Sequence, residues 1–186
     1  GMFAGAGVLS DVTLPDTVTD IGAGAFHDTP WLNSQLAGAT GDYFVLGDDI
    51  VSIYIGDGKE VSVPWELNHI DFYNNPTIQT VILEEGWSSV NKWAFRGCSG
   101  LTNVALPKSV TGIEERAFAD CTSLKNLTLP DKVTYIGERA FYGCESLVSL
   151  TIPDSVSYID KSAFEGCTSV KNLTLPGGPT KIEANA

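Results

Sequence analysis

The chain has 186 residues, 43% of them hydrophobic and 18% charged, a composition that supplies one sizeable core and argues against disorder. Eleven basic residues against 23 acidic ones leave a formal charge of -12, which weighs against nucleic acid or an anionic lipid surface as partner. No run approaches the roughly 18 apolar residues of a membrane-spanning helix, so no direct membrane insertion is expected.

The N-terminus lacks the positively charged lead and apolar stretch of a signal peptide. Gly1 ahead of Met2, with Met2-Phe3 standing where later units have Ala-Phe, reads as a cut at a repeat boundary. The first unit runs from Phe3 through Leu9, Val12, Leu14, Pro15, Val18 and Ile21 to Ala25. Its two Gly-x-Gly pairs, Gly5/Gly7 and Gly22/Gly24, open no helix after a buried parallel strand, and they read as tight turns rather than a phosphate loop.

After Phe26 the pattern breaks. Thr29-Pro30-Trp31-Leu32 predicts an N-cap and a first-turn proline starting a short helix that ends near Gly38. Three β-rich runs follow, Tyr43–Leu46, Ile50–Ile55 and Glu60–Val63, split by Gly47-Asp48-Asp49 and Gly56-Asp57-Gly58, both hairpin turn signals. The aspartates of these turns invite a calcium site but lack the alternating ligand spacing of a calcium loop. The repeat resumes at Val61, Val63, Pro64, Leu67 and Ile70, then loses three residues: Ile70 reaches Phe72 in two steps where Ile136 reaches Phe141 in five.

From Phe72 to Ala186 the chain is one pattern written five times. Phe72, Phe95, Phe118, Phe141 and Phe164 recur every 23 residues, and the apolar landmarks travel with them. In the unit that starts at Phe118 these are Cys121, Leu124, Leu127, Leu129, Val133, Ile136 and Ala140, with Pro130 closing the leucine segment. Self-similarity at such a period is a solenoid signature. The spacing of Leu124, Leu127 and Leu129 ends with the two-residue period of a strand, and proline, having no N–H for a ladder, suits the residue after it. The V-x-x-I-x-x-x-A-F remainder predicts an irregular or short helical return. One unit alone buries too little apolar surface to offset its chain entropy, so neighbours must stack in register.

Cys98, Cys121, Cys144 and Cys167 occupy the same position in successive units. They read as buried free thiols filling a packing site, because stacked side chains point in parallel and suit disulfide geometry poorly. A zinc centre would need its ligands to converge, whereas these spread along the stack. No cofactor is expected.

Every tryptophan lies between residues 31 and 93. Trp87 falls on the Val133 position and is assigned to the core. Trp31 and Trp65, with Tyr43 and Tyr54, either pack the insertion onto the solenoid or form an exposed patch suited to carbohydrate stacking or a protein hot spot. The outward strand positions supply a second candidate surface: Thr102 and Asn103; Lys125, Asn126 and Thr128; Ser149 and Thr151; Lys171, Asn172 and Thr174. It is either a recognition face or a solvated one. Catalysis finds no support. His27 and His69 belong to no nucleophile or zinc motif, and the adjacent pairs Glu84-Glu85 and Glu114-Glu115 point apart.

The repeated string A-F-x-x-C-x-x-L-x-x-L-x-L-P-x-x-V-x-x-I resembles the BspA-like leucine-rich repeats of bacterial surface proteins, in register over residues 3 to 26 and 72 to 186. The resemblance implies a curved solenoid, exposed on the bacterial cell surface or secreted, that acts in adhesion or recognition. The expected fold is an α/β-type repeat solenoid: a right-handed leucine-rich-repeat superhelix with one parallel strand per 23-residue repeat, irregular or short helical returns, and a β-hairpin-containing insertion. A single domain over 1–186 is expected, with repeats starting at 3, 26, 72, 95, 118, 141 and 164 and the insertion at 27–60 within the second. The expected function is non-catalytic protein binding, with carbohydrate binding as the alternative. Because Ala186 is the residue before the next Phe in the frame, an uncapped final unit is expected to fray or to associate end to end.

Overall fold

The computed structural model describes residues 3–15, 17–18, 21, 24–37, 39, 43–46, 51–54, 56, 58–67, 70–178 and 180–186. One helix, α1 (Pro30–Leu36), precedes β1 (Tyr43–Leu46), β2 (Val51–Tyr54), β3 (Glu60–Val63) and β4 (Ile70–Asp71). The regular coils then give β5 (Thr80–Leu83), β6 (Ser89–Val90), β7 (Asn103–Ala105), β8 (Gly112–Ile113), β9 (Asn126–Leu127) and β10 (Tyr135–Ile136). The last are β11 (Ser149–Thr151), β12 (Tyr158–Ile159), β13 (Asn172–Thr174) and β14 (Lys181–Ile182).

The leucine segments stack into a six-stranded parallel sheet, β3-β5-β7-β9-β11-β13. From β5 onward each coil also carries a second strand where a return was expected, and these form a five-stranded parallel sheet, β6-β8-β10-β12-β14. The reason lies in the backbone. Val133 and Ile136 are fully buried, so the peptide groups beside them need partners, and an identical extended segment one coil away supplies them: Tyr135 pairs with Gly112 on one side and Tyr158 on the other. Between the two sheets the Pro130 carbonyl accepts from the Val133 N–H at 3.0 Å, which turns the chain.

The return after the second strand is a run of three-residue-spaced turns with no helix. Gly137 O accepts from Ala140 N, Arg139 O from Tyr142 N and Phe141 O from Cys144 N, at 3.1–3.2 Å. In each return of regular length about Phe95, Phe118, Phe141 and Phe164, two residues have positive φ, one on each side of the Phe, for example Arg116 (51°) and Asp120 (60°). That geometry turns alternate N–H groups toward the next coil: Arg116 N, Phe118 N and Asp120 N donate to Glu138 O, Ala140 O and Tyr142 O at 2.7–2.9 Å. The returns are thereby laddered as fully as the sheets.

Between these walls lies the core. Phe72, Phe95, Phe118, Phe141 and Phe164 stack with ring centroids 5.0–5.4 Å apart. Cys121, Leu124, Leu127, Leu129, Val133, Ile136 and Ala140 are buried beside Phe118. A second, smaller cluster gathers Ile21, Phe26, Trp31, Leu32 and Ile53 with Leu9, Val12 and Leu14.

In the insertion, Thr29 caps α1, accepting from Leu32 N at 3.2 Å, and the helix ends at Leu36 with Ala37 as its cap. β1 and β2 form the expected antiparallel pair. The second predicted hairpin does not form. β2 pairs in parallel with β4, whereas β3 joins the solenoid sheet beside β5. The repeat spacing of Val61 and Val63 governs here, because both side chains enter the core only when β3 is in register with Val81 and Leu83.

Candidate functional site

The outer face of the six-stranded sheet is built by alternation. Leu127 and Leu150 point inward and are buried, so Asn126, Thr128, Ser149 and Thr151 point outward and are exposed, as are Asn103, Lys125, Lys171, Asn172 and Thr174, while Thr102 is half-buried. The parallel register aligns Asn103, Asn126, Ser149 and Asn172 in one row. Thr102 is held in place by donating to Gln79 O at 3.0 Å while accepting from Asn103 Nδ2 at 3.1 Å.

Along the end of these strands the face drops into a trough. One part of it, about 670 Å³, lies between the half-buried Val104 and Leu106 on one coil and Thr128 and Pro130 on the next, with Lys108 and Lys132 at its rim. Two further depressions of about 490 and 410 Å³ continue it past Thr151 and Pro153. Asp131 lines all three. The charged residues just after the prolines, Lys108, Asp131 and Asp154, were not among the expected site residues. Their signal was available, since this position changes chemistry from coil to coil directly after a proline that recurs at 107, 130, 153 and 176.

The aromatic patch does not assemble as an exposed surface. Trp31 is buried edge-on against Phe26, centroids 4.8 Å apart. Tyr54 is buried against Phe72 at 4.9 Å, and the half-buried Tyr43 packs on both at 5.5 and 6.4 Å. These rings fill the joint between insertion and solenoid, so Trp31 and Tyr54 have no face for a sugar. Trp65 remains 56% exposed, lying over Gly86, where a Cβ would meet its ring at 2.6 Å. Trp87 is in the core, donating from Nε1 to Val63 O at 3.1 Å.

The same joint contains a buried acid. Asp71 accepts from Gly24 N at 2.7 Å and Tyr73 N at 2.9 Å, and its Oδ2 lies 3.3 Å from His27 Nε2. The His27 contact is off-line for a hydrogen bond and acts as an ion pair. Burial works against a charge on His27, but the contact with Asp71 and its negative charge outweigh that and raise the pKa above 6.5. His69, Asp48, Asp49 and Asp57 lie outside the described residues. Among the described residues no group of three or more His, Cys, Asp or Glu could hold a metal ion.

The four thiols are free. Each donates to the Phe carbonyl of the preceding coil, Cys98 to Phe72, Cys121 to Phe95, Cys144 to Phe118 and Cys167 to Phe141, at 3.0–3.2 Å. Burial pushes Cys98 up to about 12 and Cys167 to about 11, so these are structural groups and poor nucleophiles.

Comparison with known proteins agrees with this architecture. The chain resembles in structure a leucine-rich repeat protein of T. pallidum (TM-score 0.58, 25% identity over 74% of this chain and 81% of that one). It also resembles the pneumococcal vaccine antigen PcpA (TM-score 0.65, 25% identity, 86% and 43%). A leucine-rich cell surface protein of Faecalibacterium prausnitzii shares the fold (TM-score 0.62, 23% identity, 92% and 49%). The chain thus spans less than half the length of the latter two. None of the curated proteins compared with it is significantly similar in sequence. The profile of the BspA type leucine-rich repeat region matches six copies over residues 1–37 and 66–186, and with most of its length so accounted for, the chain belongs to the BspA-type leucine-rich repeat family.

Proposed function

We propose that the chain is a non-catalytic binding scaffold of a bacterial surface or secreted protein, recognising a protein partner through the outer face of its six-stranded sheet. One observation carries this reading: a trough crosses successive coils of that face, lined by half-buried apolar side chains, with Asp131 along its whole length and lysines at one end. A partner segment laid across the coils would meet a repeating row of hydroxyl, amide and charged groups over an apolar floor. Among the described residues the trough is lined by no Trp, Tyr or Arg, so its affinity comes from many small contacts and depends on area. The bacterial surface location is part of the proposal and rests on membership of the BspA-type family.

The test is binding to immobilised extracellular matrix by the parent protein and by a Thr128→Arg/Thr151→Arg double variant. Both side chains are exposed, so folding is expected to be unaffected and thermal melts should coincide. Saturable binding that protease treatment of the matrix abolishes, and that the double variant loses, supports the proposal. Equal binding by the two proteins overturns it. Sensitivity to glycosidase instead of protease would transfer the reading to carbohydrate, for which Trp65 offers an exposed ring.

A further inference from the structure

The outer face of the five-stranded sheet carries a ladder with one rung missing. Tyr135 and Tyr158 pair in register on β10 and β12, and their rings stack 5.7 Å apart at 15°. Each hydroxyl donates to the carboxylate at the matching place on the next coil, Tyr135 to Asp160 and Tyr158 to Glu183, both at 3.1 Å. At the lower end the ladder is closed by a cation. Lys181 Nζ lies 5.2 Å from the Tyr158 ring centroid and pairs with Glu183, two residues along its own coil.

The upper end has a tyrosine ring and a carboxylate without the cation, and there the carboxylate does not accept from the ring's hydroxyl, which donates to Asp160 instead. The residue paired with Tyr135 on the preceding coil is Gly112, and two residues along stands Glu114, where the lower coil has Glu183. Gly112 itself is buried, and a Cβ built on it would make only ordinary contacts, with Glu114 Oε1 at 3.5 Å and Ser89 Cβ at 3.9 Å, so a side chain could stand there without a clash. Among the described residues, the Glu114 carboxylate has no hydrogen-bond or ion-pair partner, and no ring or cation covers this face of Tyr135. Other outward rings nearby are already covered: Arg96 over Tyr73 and Trp93, Arg116 over Trp93, Arg139 over Tyr142, at 5.4–5.9 Å.

We propose that the notch between Tyr135, Gly112 and Glu114 receives the side-chain ammonium of a lysine presented by a protein partner. The chain shows the occupied form of this site at the other end of the ladder, where a lysine lies on a tyrosine ring and pairs with a carboxylate. An ammonium in the notch would gain the attraction of the ring face and the charge of Glu114, and a chain of net charge -12 favours the approach of a basic surface. The site lies on a different sheet from the trough and stands independently of the reading given above.

The test follows the Tyr135 ring resonances by NMR while the protein is titrated with the peptide Ac-Gly-Gly-Lys-Gly-Gly-amide and, separately, its norleucine analogue. The lysine peptide is expected to shift the Tyr135 resonances in a saturable way and the norleucine peptide is not. Gly112→Lys, which supplies the missing rung from within, is expected to block the shift, and Glu114→Gln to weaken binding about fivefold or more, as for one ionic contact at a partly exposed site. The Thr128→Arg/Thr151→Arg variant is expected to respond as the parent does, which separates failure of this site from failure of the trough. Unmoved resonances in the parent, an equal response to norleucine, or an undiminished response in Gly112→Lys overturns the proposal.

Discussion

The Sγ of Cys121 lies 3.0 Å from the carbonyl oxygen of Phe95, one coil back, so the thiol is a rung between coils as well as a filler between them. The same carbonyl accepts Cys98 N at 3.1 Å, and the pattern repeats in four coils. Replacing Cys121 with Ala removes both the rung and packed volume from a fully buried site, at a cost of about 2 kcal/mol, read as a lowered midpoint in urea. Replacing it with Ser keeps a donor and costs less. In the folded protein a thiol-reactive disulfide reagent at neutral pH should modify Cys167 first, because it is only partly buried and its pKa rises least among the values near 11 and 12 given above. Cys98, Cys121 and Cys144 should react only as fast as the protein unfolds. Fast modification of Cys121 would contradict its burial.

A second prediction concerns the residue two places after each Phe. Gly5, Asp28, Asn74, Gly97, Asp120, Gly143 and Gly166 all stand there with φ between 56° and 82°. This left-handed region is open to Gly and tolerated by Asn and Asp, and it strains any residue with a branched side chain. Gly143→Val should therefore cost about 2 kcal/mol or more, aggravated because a Cβ there would lie 2.9 Å from Asp120 Oδ1. Asp120→Gly should leave stability level or raise it by up to about 1 kcal/mol, since its ion pair with Arg96 is long, at 3.8 Å, and half-exposed. Chemical denaturation of the two variants measures both signs.

This column explains what the sequence made legible and what it did not. Stacking in register puts residues 23 apart into one environment, so the Phe, Leu, Val, Ile and Cys columns declare the core without any view of the fold. The Gly/Asn/Asp column was equally present, but its reason is backbone handedness, which hydrophobic periodicity does not report. The second strand left no alternation, since it is two residues long and its identity comes from the neighbouring coil. The candidate sites were harder still. Whether Trp31 and Trp65 are buried depends on how the insertion folds back, and the notch over Gly112 consists of a side chain that is absent.

The joint between insertion and solenoid should respond to pH through His27. Its folded-state pKa is raised, so the stabilisation from the pair with Asp71 is complete below about 6.5 and is lost as pH rises through the folded-state value. Asp28 adds to the shift. Proteolytic cleavage within residues 24–71 should accelerate as pH is raised from 6 to 8, and His27→Gln should remove that dependence. Asp71→Ala is expected to cost about 3 kcal/mol, because it strands the Gly24 and Tyr73 N–H groups along with His27. A cleavage rate that falls on raising the pH would refute the assignment.

The last coil supplies the final prediction. Leu173, Leu175 and Ile182 are 54%, 50% and 50% exposed, whereas Leu150, Ile152 and Ile159 at the same places one coil earlier are 2%, 1% and 2%. β13 and β14 stand at the ends of their sheets, so the apolar face is framed by two unpaired strand edges, a template for pairing with another chain. Two copies meeting on this face about a twofold axis would set β13 antiparallel to β13 and close the contact as a dimer. Expressed as residues 1–186 alone, the chain should accordingly show a concentration-dependent monomer–dimer equilibrium in sedimentation, weakened by a Leu173→Lys/Ile182→Lys double variant, whose like charges would oppose each other across the axis. The variant should melt close to the parent, because neither side chain is buried in the monomer. A parent protein that sediments as a monomer at every concentration, with the final coil still protected from hydrogen exchange, would mean that these strands hold their place without a partner.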